Sequence, residues 1–401
     1  MNVLIIGNRV PFPLHDGGAI ATYNLIKGIS DIGINVTFAT FNTKKHRVES
    51  NTLQTQFSFL KEIITFNIDT DIKISSAFLN LFSKKSYHLS RFYNKEFDDK
   101  LIQLIQNNQF DVIHFEGLYS ALYLKSIKKS CQIPLLLRQH NIEYQIWERL
   151  SNNTNNPIKK WYLKLLTNRL KKEEIELFNQ FDQIVSIADT DKDTTLKLAP
   201  NIQCQSIGIG FYFKISESNT NNHTIYHIGS MEWLPNQQAM EWFHDKVWEK
   251  LKSKHPNIHF YMAGKSMPES YFKWNDKHFH VLNYVEDLEK FTADKQILVV
   301  PLLSGSGIRI KTIEAMFQGK SIVTTTIGAQ GLNCINNKHM LIADNEIDFV
   351  NCISELIDNQ NKRIELSANA KEYASQHFSI ENISNQWKTL YSQLINKSSN
   401  Q

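Results

Sequence analysis

The hydrophobic positions along this chain change period repeatedly. Short runs rich in Val, Ile, Leu and Phe occupy 2–7, 36–40, 112–115, 135–137 and 183–186, each the length of a buried strand. Between them lie stretches whose apolar residues recur every three or four positions, as at Ala21, Leu25, Ile29 and Ile32 within 18–32. Strands alternating with helices in this way predict a parallel sheet with both faces covered. A second series follows the polar stretch 216–222, which reads as a linker, with strands at 225–228, 258–262, 297–300 and 321–324. The last helix, about 380–395, carries Ile383, Trp387, Leu390, Tyr391 and Leu394 on one face. The expected architecture is α/β: one doubly wound Rossmann-like domain over 1–214 and another over 223–379. Two such domains leave a crevice at the carboxyl ends of both sets of strands, so chemistry is sought in the loops that follow strands.

Composition narrows the class. With 42% hydrophobic and 21% charged residues the chain has ordinary globular usage, which excludes a disordered or fibrous protein. The densest apolar run, 297–303, is strand-sized and holds a proline, well short of the roughly 18 residues a spanning helix needs. A balance of 44 Lys+Arg against 40 Asp+Glu is too even to argue for nucleic acid. Cys131, Cys204, Cys334 and Cys352 are far apart and read as incidental thiols in a reducing compartment. The start, directly on Val3-Leu4-Ile5-Ile6, lacks the basic region of a signal peptide, and a cytoplasmic enzyme is expected.

Four loops are candidates. After the first strand, Gly17 and Gly18 open a helix, which allows a ligand close to backbone and favours a negative group. After the run 135–137 comes Arg138-Gln139-His140-Asn141-Ile142-Glu143-Tyr144, where His140 either meets a substrate hydroxyl or phosphate or is satisfied by backbone. His114-Phe115-Glu116-Gly117 ends another strand with the same two readings. The strongest is Ser304-Gly305-Ser306-Gly307 followed by a helix from about Ile308 and a Gly319 cap. Free amides and a positive dipole end at that turn suit a phosphate. On the helix, Lys311 is placed for a phosphate and Glu314, one turn on, for a diol, while Arg309 reaches an anion from the first turn. Gly229-Ser230-Met231-Glu232-Trp233 follows the first strand of the second domain, with Trp233 read as packing. Two Asp-x-Asp triplets, at 69–71 and 189–191, are of a type that holds Mg²⁺, but the first lies in a polar loop and the second fits a helix start, so no metal is expected.

These motifs resemble those of the retaining glycosyltransferases of family four, across most of the chain. The likeness rests on Pro13 to Gly18, on His140-Asn141-x-Glu143-Tyr144, and on Gly229-Ser230-x-x-Trp233-x-Pro235-Asn236. Its most specific part is Gly305-Ser306-Gly307-x-Arg309-x-Lys311-x-x-Glu314-Ala315-Met316-x-x-Gly319. The resemblance implies the GT-B fold of two facing Rossmann-like domains with a cleft, and a last helix, 380–398, that packs back on the first domain. It implies transfer of a sugar from a nucleotide-sugar donor to an acceptor hydroxyl, with retained configuration and no metal or other cofactor. His140, Arg309 and Lys311 are the expected catalytic residues; Gly17, Gly18, Gly229, Ser304, Gly305, Ser306, Gly307 and Glu314 are expected at the donor, Glu314 on its ribose. Two departures stand out. Ser306 occupies the place of the first Glu of the family's Glu-x7-Glu motif, and Ser230, Met231 and Glu232 stand where many members carry Arg and Lys, so Arg309 and Lys311 are read as supplying the missing charge.

The partners expected are thus a nucleotide sugar and a sugar or lipid-linked acceptor, in cell-envelope polysaccharide or glycolipid synthesis. The basic stretch 151–172 suits either solvent or the inner face of an anionic membrane. Two alternatives are a nucleotide-sugar epimerase of the same fold and a non-catalytic sugar-nucleotide binding subunit.

Overall fold

The computed structural model describes residues 1–14, 17–44, 47–71, 79–83, 85–152, 154, 156–212, 224–305 and 308–399. The linker expected at 216–222 falls outside them, as do Ser306 and Gly307. The chain forms two compact units, Met1–Phe211 with Ile380–Gln401, and Tyr212–Ser379.

Unit 1 is built on β1 (Asn2–Gly7), β2 (Asn35–Thr43), β3 (Glu62–Ile68), β4 (Val112–Glu116), β5 (Leu135–Gln139), β6 (Gln183–Ser186) and β7 (Cys204–Ser206). All pairings are parallel, in the order β3-β2-β1-β4-β5-β6-β7. Val3, Leu4, Ile5 and Ile6 are all fully buried, because a parallel sheet is covered on both faces and its central strand has no wet side. Helix α1 (Gly17–Asp31) lies on one face and buries Ala21, Leu25, Ile26 and Ile29. Helix α2 (Glu143–Asn152) follows β5, and the long α3 (Pro157–Phe178) precedes β6.

The last helix, α6 (Ile380–Ser399), belongs to this unit and packs on α1. Ile383, Trp387, Leu390, Tyr391 and Leu394 enter the same core as Val3, Ile5, Leu25 and Phe38. The helices can approach this closely because residue 28 is glycine: a Cβ there would lie 2.4 Å from Ser384 Oγ and 2.6 Å from Ile380 Cδ1.

Unit 2 repeats the plan with β8 (Thr224–Ile228), β9 (His259–Ala263), β10 (Phe279–Val281), β11 (Ile297–Val300), β12 (Ser321–Thr324) and β13 (Leu341–Ile342). Its order is β10-β9-β8-β11-β12-β13, again parallel. Helix α4 (Leu234–Trp242) follows β8 and α5 (Ile310–Phe317) follows β11. In both sheets the first strand sits in the middle and the chain then turns to the other side. That switch falls between β1 and β4 in unit 1 and between β8 and β11 in unit 2, the position where sheets of this kind commonly bind ligands.

Candidate functional site

In unit 1 the switch point is organised by a buried carboxylate. Glu116, the last residue of β4, is 1% exposed, and its Oε1 accepts from Arg138 Nη1 at 2.7 Å, Thr22 Oγ1 at 2.9 Å and His140 Nε2 at 2.5 Å. Its Oε2 lies 3.2 Å from His114 Nε2, and His114 Nδ1 meets the Tyr391 hydroxyl at 2.7 Å. Trp387 stacks on the His114 ring at 5.0 Å. Burial opposes charge on Glu116, but Arg138, His140 and His114 outweigh it and hold its carboxyl well below the usual range. His114 is driven down by burial, against the pull of Glu116, so it stays neutral.

His140 is therefore held by a side chain, not by backbone. A carboxylate can only accept, so Nε2 carries the hydrogen and Nδ1 is the ring atom turned away from Glu116. Thr22, one turn into α1, ties that helix to the same carboxylate, with Gly17 and Gly18 at the helix start. No heavy atom lies within 4 Å of where a Gly17 Cβ would be, so packing alone does not demand glycine there. Glu143 and Tyr144 open α2, and Glu174 from α3 accepts from their backbone N–H groups at 2.8 and 2.9 Å. The carboxylate thus closes the N-terminus of α2 directly after His140.

In unit 2, the loop after β8 and the loop after β11 meet at the switch. Lys311, half-buried in the first turn of α5, extends to the β8 loop. Its Nζ lies 3.2 Å from His227 Nε2 and 3.0 Å from Asn236 Oδ1. A Cβ on Gly229 would come within 2.7 Å of that Nζ, so the glycine leaves room for the ammonium. Burial, helped by the neighbouring Arg309, lowers the ammonium to about 7. Gly229 is also crowded from below: a Cβ on Gly264 would lie 1.8 Å from its carbonyl oxygen.

Arg309 stands at the cap position of α5, which starts at Ile310, two residues later than the sequence suggests. It is 5% exposed, and its guanidinium lies over the Trp233 ring, 5.1 Å from the centroid. The same indole walls Gly305, whose φ of 108° favours glycine and whose Cβ would lie 2.7 Å from the ring. Trp233, expected only to pack, thus touches both Gly305 and Arg309, and Arg309 Nη2 would itself lie 3.5 Å from that Cβ. Ser304 Oγ donates to Gln238 Oε1 at 2.9 Å, tying this loop to α4. Glu314, one turn beyond Lys311, is half-buried, and burial with Glu289 nearby pushes its carboxyl up to about 7.

Of the residues singled out in the sequence, Gly229, Ser304, Gly305, Arg309, Lys311 and Glu314 lie in unit 2, where Lys311 meets Gly229 and Arg309 meets Gly305, and Gly17, Gly18 and His140 lie in unit 1. Sequence reasoning passed over Glu116 as the hub and missed His227 and Asn236. A histidine inside a buried apolar strand, and an asparagine closing the Trp-x-Pro-Asn run, were the available signals. In the Asp-x-Asp triplets, Asp69 accepts from the Asp71 N–H while Asp71 pairs with Lys44, both lining a cavity with Arg91 and Tyr93, and Asp189 accepts from Ser206 and Lys192. A cavity lined by Gln296, Lys320, Ser321 and Arg363 sits at the opposite, amino-terminal edge of the unit 2 strands and takes no part.

Residues 222–359 match the family Glycosyl transferases group 1. The whole chain is similar in fold to sucrose-phosphate synthase from Thermosynechococcus elongatus, with a TM-score of 0.66, 14% identity and 99% of each chain covered. It is likewise similar to Anabaena Alr3699/HepE in complex with UDP, with a TM-score of 0.67, 14% identity, and coverage of 98% and 100%. A Klebsiella pneumoniae protein described as an uncharacterized 44.6 kDa protein in the cps region is 21% identical over 94% of this chain and 96% of its own length. The two parallel Rossmann-like sheets of seven and six strands give the chain the GT-B fold of those structures, and the family match lies within its second unit. Among the described residues no helix is long and apolar enough to cross a membrane.

Proposed function

We propose that the protein transfers a sugar from a nucleoside-diphosphate sugar to an acceptor hydroxyl, with retention at the anomeric carbon and without a metal. The observation that carries this reading is the ammonium of Lys311 set at the β8 loop, against His227 and Asn236, at the switch point of the unit 2 sheet. A leaving diphosphate gains negative charge as the glycosidic bond breaks. Lys311, Arg309 and the backbone around Gly305 are fixed positive groups that meet it without reorganising. His140 in unit 1 is assigned to the donor phosphate and sugar, and Glu314 to the ribose. The UDP and UDP-glucose complexes of the Anabaena relative support a nucleotide sugar as the donor.

In a front-face step the bond from the anomeric carbon to the phosphate oxygen breaks, and the bond to the acceptor oxygen forms on the same face. The acceptor's proton passes to the departing phosphate oxygen, so no separate strong base is needed. The cps region of the Klebsiella relative supports a cell-surface polysaccharide as the product's destination. The test is a thermal-shift panel of uridine, guanosine and adenosine diphosphate sugars, followed by NMR of the product's anomeric centre. One donor class is expected to raise the melting temperature, and the transferred sugar is expected to keep its anomeric configuration. Inversion, or turnover of the donor with no acceptor, contradicts the reading, the latter in favour of an epimerase.

A peripheral membrane contact belongs to the same proposal. At the start of α3, Ile158 and Trp161 are 77% and 61% exposed, flanked by Lys159, Lys160 and Lys164. An indole among lysines suits the interface of an anionic bilayer. Co-sedimentation with phosphatidylglycerol vesicles is expected for the wild type, with weak binding to phosphatidylcholine and at least fivefold loss for Trp161→Ser. Equal binding by the variant removes the contact.

A further inference from the structure

Resting on the reading of Lys311 as the phosphate contact, we propose that His227 is a positioning residue: a neutral ring that holds the Lys311 ammonium at the β8 loop without cancelling its charge. The tautomer follows from the partners. Nδ1 lies 2.9 Å from the Val299 carbonyl oxygen, which can only accept, so Nδ1 carries the hydrogen. His227 is fully buried with a lysine beside it, and both factors disfavour the imidazolium. Nε2 is then a lone pair, and it can only accept from Lys311 Nζ at 3.2 Å.

Asn236 is fixed in the same way. Its Nδ2 donates to the Ser230 carbonyl at 2.8 Å, which turns Oδ1 to Lys311 at 3.0 Å. Two neutral acceptors, one from β8 and one from α4, therefore take two of the three N–H bonds of the ammonium. The third has no acceptor among the described residues, which leaves it for an anion at this loop.

The choice of histidine has a physical reason. A carboxylate at 227 would fix the lysine equally well but would pair with it and remove the net charge a diphosphate needs. An apolar residue would leave the ammonium one acceptor short in a site that already favours its neutral form. The charged and titratable groups acting on Lys311 are Arg309 from its own helix and His227 from β8. Arg309 keeps its charge throughout the accessible range, so the pH response is carried by the lysine. Losing the His227 acceptor makes the ammonium harder to keep, so affinity for an anion fails at a lower pH.

The test uses the full-length protein, with pyrophosphate and UDP as probes, by calorimetry between pH 6 and 9. Each variant is compared with the wild type so that titration of the probe itself cancels. His227→Phe is expected to weaken both probes about tenfold at pH 6, the cost of one hydrogen bond to a charged group. Its affinity is also expected to fall off at least half a pH unit earlier. His227→Gln, whose amide oxygen reaches the Nε2 position, is expected to restore the wild-type profile to within about twofold. Should the Phe variant not fold, His227→Asn, whose amide stops short of Lys311, carries the same expectation. An unshifted profile in a folded Phe or Asn variant overturns the proposal while Lys311→Ala still weakens binding. If Lys311→Ala leaves pyrophosphate and UDP binding unchanged, the phosphate reading itself is wrong.

Discussion

Lys311→Ala lowers the rate of sugar transfer by about 10²–10³-fold, the usual effect of deleting one fixed donor to developing charge, while the protein still melts cooperatively near the wild-type temperature. The second half of that expectation follows from the geometry. Lys311 is half-buried, and among the described residues its Nζ bonds to Asn236 Oδ1 and His227 Nε2. Nothing in the unit 2 core depends on the ammonium: Ile313, Ala315 and Met316 on the same helix bury their own apolar surface. Lys311→Arg does not rescue. The larger guanidinium must fit where a Cβ on Gly229 would already lie 2.7 Å from Nζ. The measurement is kcat/KM for transfer with the donor picked out by the thermal-shift panel, alongside a melting curve. A folded Ala variant with near-normal turnover means that the charge on the leaving group is met elsewhere.

The same helix shows what a linear sequence can and cannot reveal. The nine central strands, β1, β2, β4, β5 and β6 in unit 1 and β8, β9, β11 and β12 in unit 2, were legible because both faces are buried and each reads as a plain apolar run. The four strands that escaped, β3, β7, β10 and β13, are the four edges of the two sheets. They are short or half-wet, as in β3 where most residues are only partly covered, so their pattern merges with that of loops. For the site, the glycines and the Arg309-x-Lys311-x-x-Glu314 spacing could be read directly, since they lie within one strand-to-helix connection. The partners that give those residues their properties could not. His227 and Asn236 reach Lys311 from 84 and 75 positions away, and Glu116 reaches Thr22 and His140 from 94 and 24. Such contacts are made by the order of strands in the sheet, where β4 lies between β1 and β5, and not by any local rule.

Glu116→Ala is expected to be the most destabilising single change in unit 1. It removes the carboxylate partner of Arg138, itself 1% exposed, leaving a buried guanidinium with the 3.3 Å contact to the Ala21 carbonyl and the Trp387 ring 5.9 Å away. Leaving one member of a buried ion pair unpaired costs about 3–5 kcal/mol. For a unit of this size each kcal/mol lowers the melting temperature by about 2–4 °C, so a drop on the order of 10 °C is expected by calorimetry. His140 loses its anchor at the same time, so transfer falls even below the new melting point. Glu116→Gln separates the two effects: it keeps the shape and one acceptor but not the charge. Because the folded carboxyl titrates well below its unfolded value, Glu116 stabilises the protein above about pH 4.5, and that contribution is lost as the pH falls further towards the folded value. His114 and the other histidines lowered by burial add a separate loss as the pH drops below about 6.5, where the unfolded chain takes up protons that the folded one refuses. Wild type and Glu116→Gln should therefore lose stability in parallel from pH 7 to 5, and only the wild type should steepen below that. A Gln variant that is equally acid-sensitive, or an Ala variant that melts within 2 °C of wild type, would mean that Arg138 is held by something other than this carboxylate.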